Sequence, residues 1–284
     1  MGRTPTSPRS TGARRAFSAD ASRLVTTPGT NLEAVLRRDR ALIVTAVVGA
    51  AGIAWIWLVI AGRDMYGEMS GAAAWMMVAE WDLRYFGLIC GMWAVMMLGM
   101  MLPSAAPTLL LYARSIRGGA DPGSAVPRVY AFALGYLIVW CGFSVGAAVL
   151  QWRLSQSGWL NPMMELSGAR LGAALLVLAG VYQWLPFKQS CLASCRSPVA
   201  FITASWRPGL GGAVRMGVGH GLFCLGCCWV LMLLLFVGGV MNLTWIAAIT
   251  VFVLLEKIAP FGVQGGKLSG LLLILSGVWA LARI

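Results

Sequence analysis

Side chains that bind soft metals are concentrated in one short stretch of the chain, at His220, Cys224, Cys227 and Cys228. On a helix that turns about 100° per residue, Cys224 lies about 40° from His220. Cys227 lies about 20° to the other side, and Cys228 lies at about 80°. One imidazole and three sulfurs therefore share one face. Thiolate and imidazole suit Cu(I), Zn(II) or iron–sulfur clusters, so the spacing predicts a site for a soft metal.

A purely structural role is the alternative for this segment. Small residues such as Gly and Cys line helix–helix contacts in membranes, and a lone His can hydrogen-bond across such a contact. His220 is the one histidine in the protein. Polar groups inside a membrane are usually functional, and this favours the metal site over packing.

A second cysteine pair, Cys191 and Cys195, has a spacing of four residues. The two sulfurs share a face only if the segment is helical. Zinc ribbons and thioredoxin-like sites have two residues between their cysteines, so neither motif is matched. We interpret the pair as additional ligands through which a metal enters the site or is transferred.

Glu256 is a weaker candidate at the end of an apolar run, beside Lys257. An intramembrane carboxylate is a functional candidate by default, and here it is expected to orient His220 from outside the ligand set. The alternative is a charged helix end whose side chains extend to the membrane surface.

Methionine thioethers also bind Cu(I), and one apolar run is rich in them. The angles of these residues span half the helix instead of a narrow stripe, so core packing is favoured over copper binding. They are Met92, Met96, Met97, Met100 and Met101.

The chain that must position these residues is unusually apolar. Of its 284 residues, 59% are hydrophobic and 11% are charged, whereas soluble domains carry about 25% charged residues. Apolar runs of membrane-spanning length predict an all-α bundle of about seven transmembrane helices. The predicted spans are 41–62, 86–112, 129–151, 169–186, 214–239, 243–257 and 267–283. Pro103 and Pro107 predict that the second span is kinked or ends near Leu102.

The distribution of basic residues predicts an orientation, because cytoplasmic loops hold the excess of Lys and Arg. Of the 22 basic residues, 17 fall on the side of the N-terminus. The other side holds five, which are Arg63, Arg84, Arg153, Arg170 and Arg283. We therefore predict a cytoplasmic N-terminus and a C-terminus outside. Both cysteine groups then face a reducing compartment, where thiols stay free.

Residues 1–40 differ in composition from the rest of the chain. They are rich in Ser, Thr, Pro, Gly and Arg and lack clustered apolar residues. This composition predicts a disordered, basic cytoplasmic tail. Residues 41–283 are predicted to form a single transmembrane domain. No basic patch with interleaved aromatic residues is present, which argues against nucleic-acid binding despite a net charge of +12.

Five sequence blocks together resemble one bacterial family. They are Met100–Pro107, Tyr182–Lys188 with Cys191, Cys195, Arg196 and Pro198, Gly219–Met232, Gly239–Asn242, and Glu256 with Lys257. The chain resembles the predicted metal-binding integral membrane proteins, a domain of unknown function that is sometimes described as a copper chaperone. The resemblance covers residues 86–283. Phe187, where Leu is expected, is the one departure.

The residues and the resemblance together predict a bacterial inner-membrane protein that binds Cu(I) for homeostasis, delivery or transport. Zn or another soft metal is an alternative cargo. Its expected partners are the lipid bilayer and a soluble protein that delivers or accepts metal. A binding role is favoured over an enzymatic one. Two other interpretations stay open, a membrane thiol–disulfide oxidoreductase and a structural subunit whose cysteines only pack.

Overall fold

The computed structural model describes residues 29–66, 81–118, 125–161 and 163–283. These residues form ten helices, and their one β element is an isolated bridge between Leu160 and Leu166. The helices are α1 Gly29–Tyr66, α2 Leu83–Arg117, α3 Ala125–Gln156, α4 Ala169–Tyr182, α5 Pro186–Arg196, α6 Pro198–Ser205, α7 Gly209–Leu233, α8 Leu235–Gly238, α9 Leu243–Ile258 and α10 Gly262–Ala282. The predicted all-α fold is confirmed.

Five helical segments of the described chain are long and apolar enough to cross a membrane. They are formed by α1, α2, α3, α7 continued through α8, and α10. Helices α4 and α5 meet at an angle of 64° and make a sixth span if they are counted as one. The predicted sixth span is α9, whose 16 residues are fewer than the roughly 17 that a perpendicular crossing needs. By length and composition, the described residues thus supply up to six spans instead of seven.

The chain divides into a first unit of residues 1–42 and a second unit of residues 43–284. In the first unit, the described residues 29–42 are the beginning of α1. The predicted tail ends at residue 40, so α1 begins before that boundary. Residues 1–28, on which most of the predicted disorder falls, lie outside the described residues.

The two prolines of α2 do not end the helix, which continues to Arg117. Pro103 has no N–H to donate to the carbonyl oxygen of Gly99, four residues earlier. The indole N–H of Trp55 donates to that oxygen instead, at 3.3 Å. Neighbouring side chains can replace lost backbone hydrogen bonds in this way inside membranes. The predicted early end near Leu102 was therefore wrong.

Glycines bring α4 and α10 into backbone contact. A Cβ on Gly180 would lie 2.5 Å from the carbonyl oxygen of Gly270, and a Cβ on Gly277 would lie 2.7 Å from that of Ala173. Small residues at such positions let membrane helices approach closely. This contact holds α4 in place, and the chain turns at its end into α5, which starts with Pro186 in its first turn.

Candidate metal centre

Close contact between α7 and α3 sets which face of α7 is buried. A Cβ on Gly217 would collide with the carbonyl oxygen of Phe132, and a Cβ on Gly135 would collide with that of Val214. Only glycine fits at both positions. As a result, the α7 residues that follow Gly217 along this face lie against α3, and Tyr136 of α3 reaches Cys224.

Cys224 is buried at the centre of this contact, with 1% of its surface exposed. Its Sγ atom lies 3.0 Å from the hydroxyl oxygen of Tyr136. The ammonium of Lys257, on α9, donates to the same sulfur at 2.9 Å. Three helices therefore meet at one sulfur atom.

Cys227 and Cys228 complete the buried sulfurs of α7. Each thiol donates a hydrogen bond to the carbonyl oxygen of Cys224, at 3.0 Å. Cys228 Sγ also lies 4.0 Å from the thioether sulfur of Met101 on α2. Neither cysteine has any exposed surface.

Helix α5 brings a fourth sulfur to the same place. The Cys195 side chain packs against the core that contains Cys224, Cys227 and Cys228, and its thiol interacts electrostatically with those of Cys224 and Cys227. We call Cys195, Cys224, Cys227 and Cys228 the sulfur cluster. Cys191 lies one turn earlier and packs on α7, since a Cβ on Gly226 would lie 2.7 Å from its sulfur. Because α5 is a helix, the condition under which Cys191 and Cys195 share a face is met.

His220 lies one turn before Cys224, among aromatic rings. Its ring centroid lies 5.1 Å from that of Phe201, 5.8 Å from that of Tyr136 and 5.9 Å from that of Phe132. The side chain is 2% exposed, and its Nδ1 atom has no hydrogen-bond partner among the described residues. The imidazole is close enough to interact electrostatically with Cys224 and Cys227.

Glu256 does not take the role expected for it. Both of its carboxylate oxygens accept hydrogen bonds from Lys188, at 2.7 and 2.8 Å. The structure therefore pairs the Glu256 carboxylate with a lysine of α5 and not with His220. Because an unpaired charge is costly in the interior, this partner satisfies the carboxylate better than a neutral imidazole would.

The methionines of α2 are core residues, as expected. Met92, Met96, Met97, Met100 and Met101 are each no more than 1% exposed. They pack with the aromatic side chains and cysteines of one hydrophobic core. Of these five, Met101 is the one whose sulfur is in contact with a member of the sulfur cluster.

Sequence reasoning missed three polar residues at the site, Tyr136, Ser104 and Lys257. Lys257 donates to Ser104 at 3.1 Å as well as to Cys224. A signal for Lys257 was available, since a lysine at the end of an apolar helix is a functional candidate. Tyr136 and Ser104 gave no comparable signal, because a single Tyr or Ser in an apolar helix is common.

Hydrogen bonds link the members of the sulfur cluster that lie on α7. Within the described parts of the chain, no three or more His, Cys, Asp or Glu side chains are grouped so that they could hold a metal ion as they stand. The thiols of Cys227 and Cys228 point back to their own helix, at the Cys224 carbonyl. The six predicted ligands, His220, Cys224, Cys227, Cys228, Cys191 and Cys195, therefore remain a prediction.

A family model described as PpoB2, copper chaperone, matches residues 90–280. This range contains the whole sulfur cluster together with His220, Lys257 and the Lys188–Glu256 pair. No curated protein and no solved structure matches the chain.

Proposed function

The chain belongs to the PpoB2 family of copper chaperones, and we propose that it is a membrane protein whose sulfur cluster binds Cu(I) as cargo. The observation that carries the proposal is the meeting of α5 and α7. Cys195 of α5 packs against the core that contains the three cysteines of α7, and its thiol interacts electrostatically with those of Cys224 and Cys227. Four sulfurs from two separate helices are thereby gathered in the buried core.

The chemistry of these side chains suits Cu(I). Thiolates and thioethers are soft ligands that select Cu(I) over hard cations. Cysteine binds metal as the thiolate, so loading releases protons from the cluster. It also requires the thiols of Cys227 and Cys228 to leave the Cys224 carbonyl to which they donate.

Two neighbouring residues extend the ligand set. The Nδ1 atom of His220 has no partner among the described residues, and a buried polar atom without a partner calls for an explanation. Binding to the metal would supply that partner. Cys191 lies one turn from Cys195 on α5 and is suited to passing metal into the cluster or out of it.

We place the protein in the bacterial cytoplasmic membrane, with its N-terminus in the cytoplasm. The support is the distribution of basic residues, because cytoplasmic loops hold the excess of Lys and Arg. On this topology α5 lies at the cytoplasmic side, where a soluble protein that delivers or accepts copper meets the half-buried Cys195.

The test is Cu(I) binding by the purified protein in detergent under anaerobic conditions, with a chromogenic Cu(I) chelator as competitor. We expect the wild type to retain copper against the chelator and the Cys224→Ser variant to lose it. Cys141→Ser is the matched control, since Cys141 lies exposed on α3. Equal copper retention in the wild type and in Cys224→Ser contradicts the proposal.

The arrangement of Cys195 favours a second candidate, a thiol–disulfide oxidoreductase. A thiol next to two other sulfurs is placed for disulfide exchange as well as for shared metal binding. The two functions differ in the state of the thiols in the cell. A copper carrier keeps the cluster reduced, whereas an oxidoreductase holds a fraction of it as a disulfide.

A further inference from the structure

A fixed positive charge lies directly against the sulfur cluster. The ammonium of Lys257 donates to Cys224 Sγ at 2.9 Å, and the lysine is 8% exposed. It also interacts electrostatically with Cys227 and Cys228. Any metal ion bound by these sulfurs therefore lies close to a buried ammonium group.

The carboxylate next to Lys257 in the chain is paired with a different lysine. The adjacent Glu256 has both oxygens engaged by Lys188, at 2.7 and 2.8 Å. Among the described residues, no Asp or Glu forms a salt bridge with Lys257. Arg196 donates to the backbone carbonyls of Glu256 and Pro260 and adds positive charge beside Lys257 instead of removing it.

We propose that Lys257 determines charge specificity, so that the sulfur cluster favours monovalent soft cations over divalent ones. The inference rests on the proposed Cu(I) function and names the residue that selects among soft metals. The ammonium repels a divalent ion twice as strongly as a monovalent ion at the same place, and this factor does not depend on how many thiolates bind the ion. The repulsion is large here because the site is buried, where charges are poorly screened.

Two pairs of ions isolate the effect of charge. Cu(I) and Zn(II) have the same number of d electrons, and so do Ag(I) and Cd(II), and all four ions bind thiolates. Within each pair the main difference is one unit of charge. A residue that only supports the fold would change the affinity for both members of a pair, whereas a charge filter changes their ratio.

The experiment compares wild-type protein with Lys257→Leu and Lys257→Gln, which remove the charge without adding a sulfur ligand. Lys257→Arg retains the charge, and Lys267→Gln removes an exposed charge from α10 as a control. The affinities for Ag(I), Cd(II), Cu(I) and Zn(II) are measured by chelator competition in detergent. In both neutral variants we expect the ratio of monovalent to divalent affinity to fall by about tenfold or more. It should stay at the wild-type value in Lys257→Arg and Lys267→Gln.

An unchanged ratio in the folded neutral variants overturns the inference and leaves the proposed function intact. A wild-type protein that binds no Cu(I) overturns the proposed function itself. Should neither neutral variant fold, the inference is tested on the wild-type protein alone. The ratio of its Ag(I) affinity to its Cd(II) affinity is then compared with that of an unstructured peptide that has the same number of cysteines and no lysine. A higher ratio in the protein supports the inference, and an equal or lower ratio overturns it.

Discussion

Lys188 and Glu256 form a buried ion pair between α5 and α9, with nitrogen–oxygen distances of 2.7 and 2.8 Å. Lys188 has no exposed surface, and Glu256 is 3% exposed. Gln183 also accepts a hydrogen bond from Lys188, and Arg196 donates to the backbone carbonyl of Glu256 at 2.5 Å. The pair fixes the helix that carries Cys191 and Cys195 against the helix that carries Lys257.

Breaking this ion pair from one side should be costly. Lys188→Met leaves the Glu256 carboxylate buried without its partner, and we expect a loss of about 3–5 kcal/mol in the free energy of unfolding. The double variant Lys188→Met/Glu256→Leu should lose less than the single one, because no unpaired charge stays buried. Denaturant unfolding in mixed micelles measures both. A double variant less stable than Lys188→Met would refute this account.

The length of the apolar runs predicted most of the long helices, but not the residues at which they begin and end. The second and third predicted spans, 86–112 and 129–151, correspond to α2 Leu83–Arg117 and α3 Ala125–Gln156. Both helices extend past the apolar run, because residues beyond it, among them Ala113, Ile116 and Ala125, pack in a second hydrophobic core. Helix α2 continues through Pro103 because Trp55 donates a hydrogen bond to the Gly99 carbonyl. Trp55 is distant in sequence, so the residues around Pro103 alone do not predict that the helix continues.

The sequence predicted which residues of α7 belong to the candidate site, but it did not predict which residues of other helices contact them. The helical period placed His220, Cys224, Cys227 and Cys228 on one face, and all four are buried there. The residues after Pro186 lie outside the predicted spans, because charged residues interrupt the apolar pattern there, yet they form α5. That Cys195 reaches Cys224, and that Lys257 reaches the same sulfur, follows from packing between helices and has no signature in the local sequence.

The predicted orientation is tested by reporter fusions. In the seven-span topology, in which α9 also crosses the membrane, a reporter that is active only outside the cytoplasm should be active when fused after Arg283, since 17 of the 22 basic residues fall on the N-terminal side. With the six spans that length and composition allow, the same fusion would be inactive. The same reporter fused after Gly118, at the end of α2, should be inactive. Activity after Gly118 together with silence after Arg283 would require the inverted topology.

The redox state of the cluster separates copper binding from disulfide exchange. In intact cells grown without added copper, alkylation followed by mass spectrometry should find Cys191, Cys195, Cys224, Cys227 and Cys228 reduced, because cytoplasmic thiols are kept reduced. Cu(I) loading of the purified protein should then protect Cys195, the half-buried member of the sulfur cluster, but not the exposed Cys141, from alkylation. A stable disulfide between Cys195 and a cysteine of α7, recovered from intact cells, would favour the oxidoreductase.

The contact between α3 and α7 should tolerate no side chain at Gly217. A methyl group there would collide with the carbonyl oxygen of Phe132, so the helices must separate. We expect Gly217→Ala to lower the free energy of unfolding by about 1–3 kcal/mol, as overpacking does elsewhere. Gly219→Ala is the control, since a Cβ there would meet Phe201 at 4.0 Å, an ordinary contact. Equal stability of the two variants would show that this contact is not close.

The last prediction concerns His220, which lies one turn from Cys224 with Nδ1 unpartnered among the described residues. If the imidazole binds the copper held by the sulfur cluster, its removal should weaken binding and leave the sulfur ligands in place. We expect His220→Ala to lower Cu(I) affinity by about 10- to 100-fold, the range seen when a supporting group of a metal site is lost. Cys224→Ser should abolish high-affinity binding.

The double variant tests whether His220 and Cys224 belong to one site. Residues that bind the same ion are energetically coupled, so adding His220→Ala to Cys224→Ser should lower the Cu(I) affinity little further. Chelator competition gives the affinities, and thermal unfolding in detergent shows whether each variant is folded. His220→Ala protein with wild-type copper affinity and only a lowered melting temperature would identify the histidine as a packing residue among Phe132, Tyr136 and Phe201.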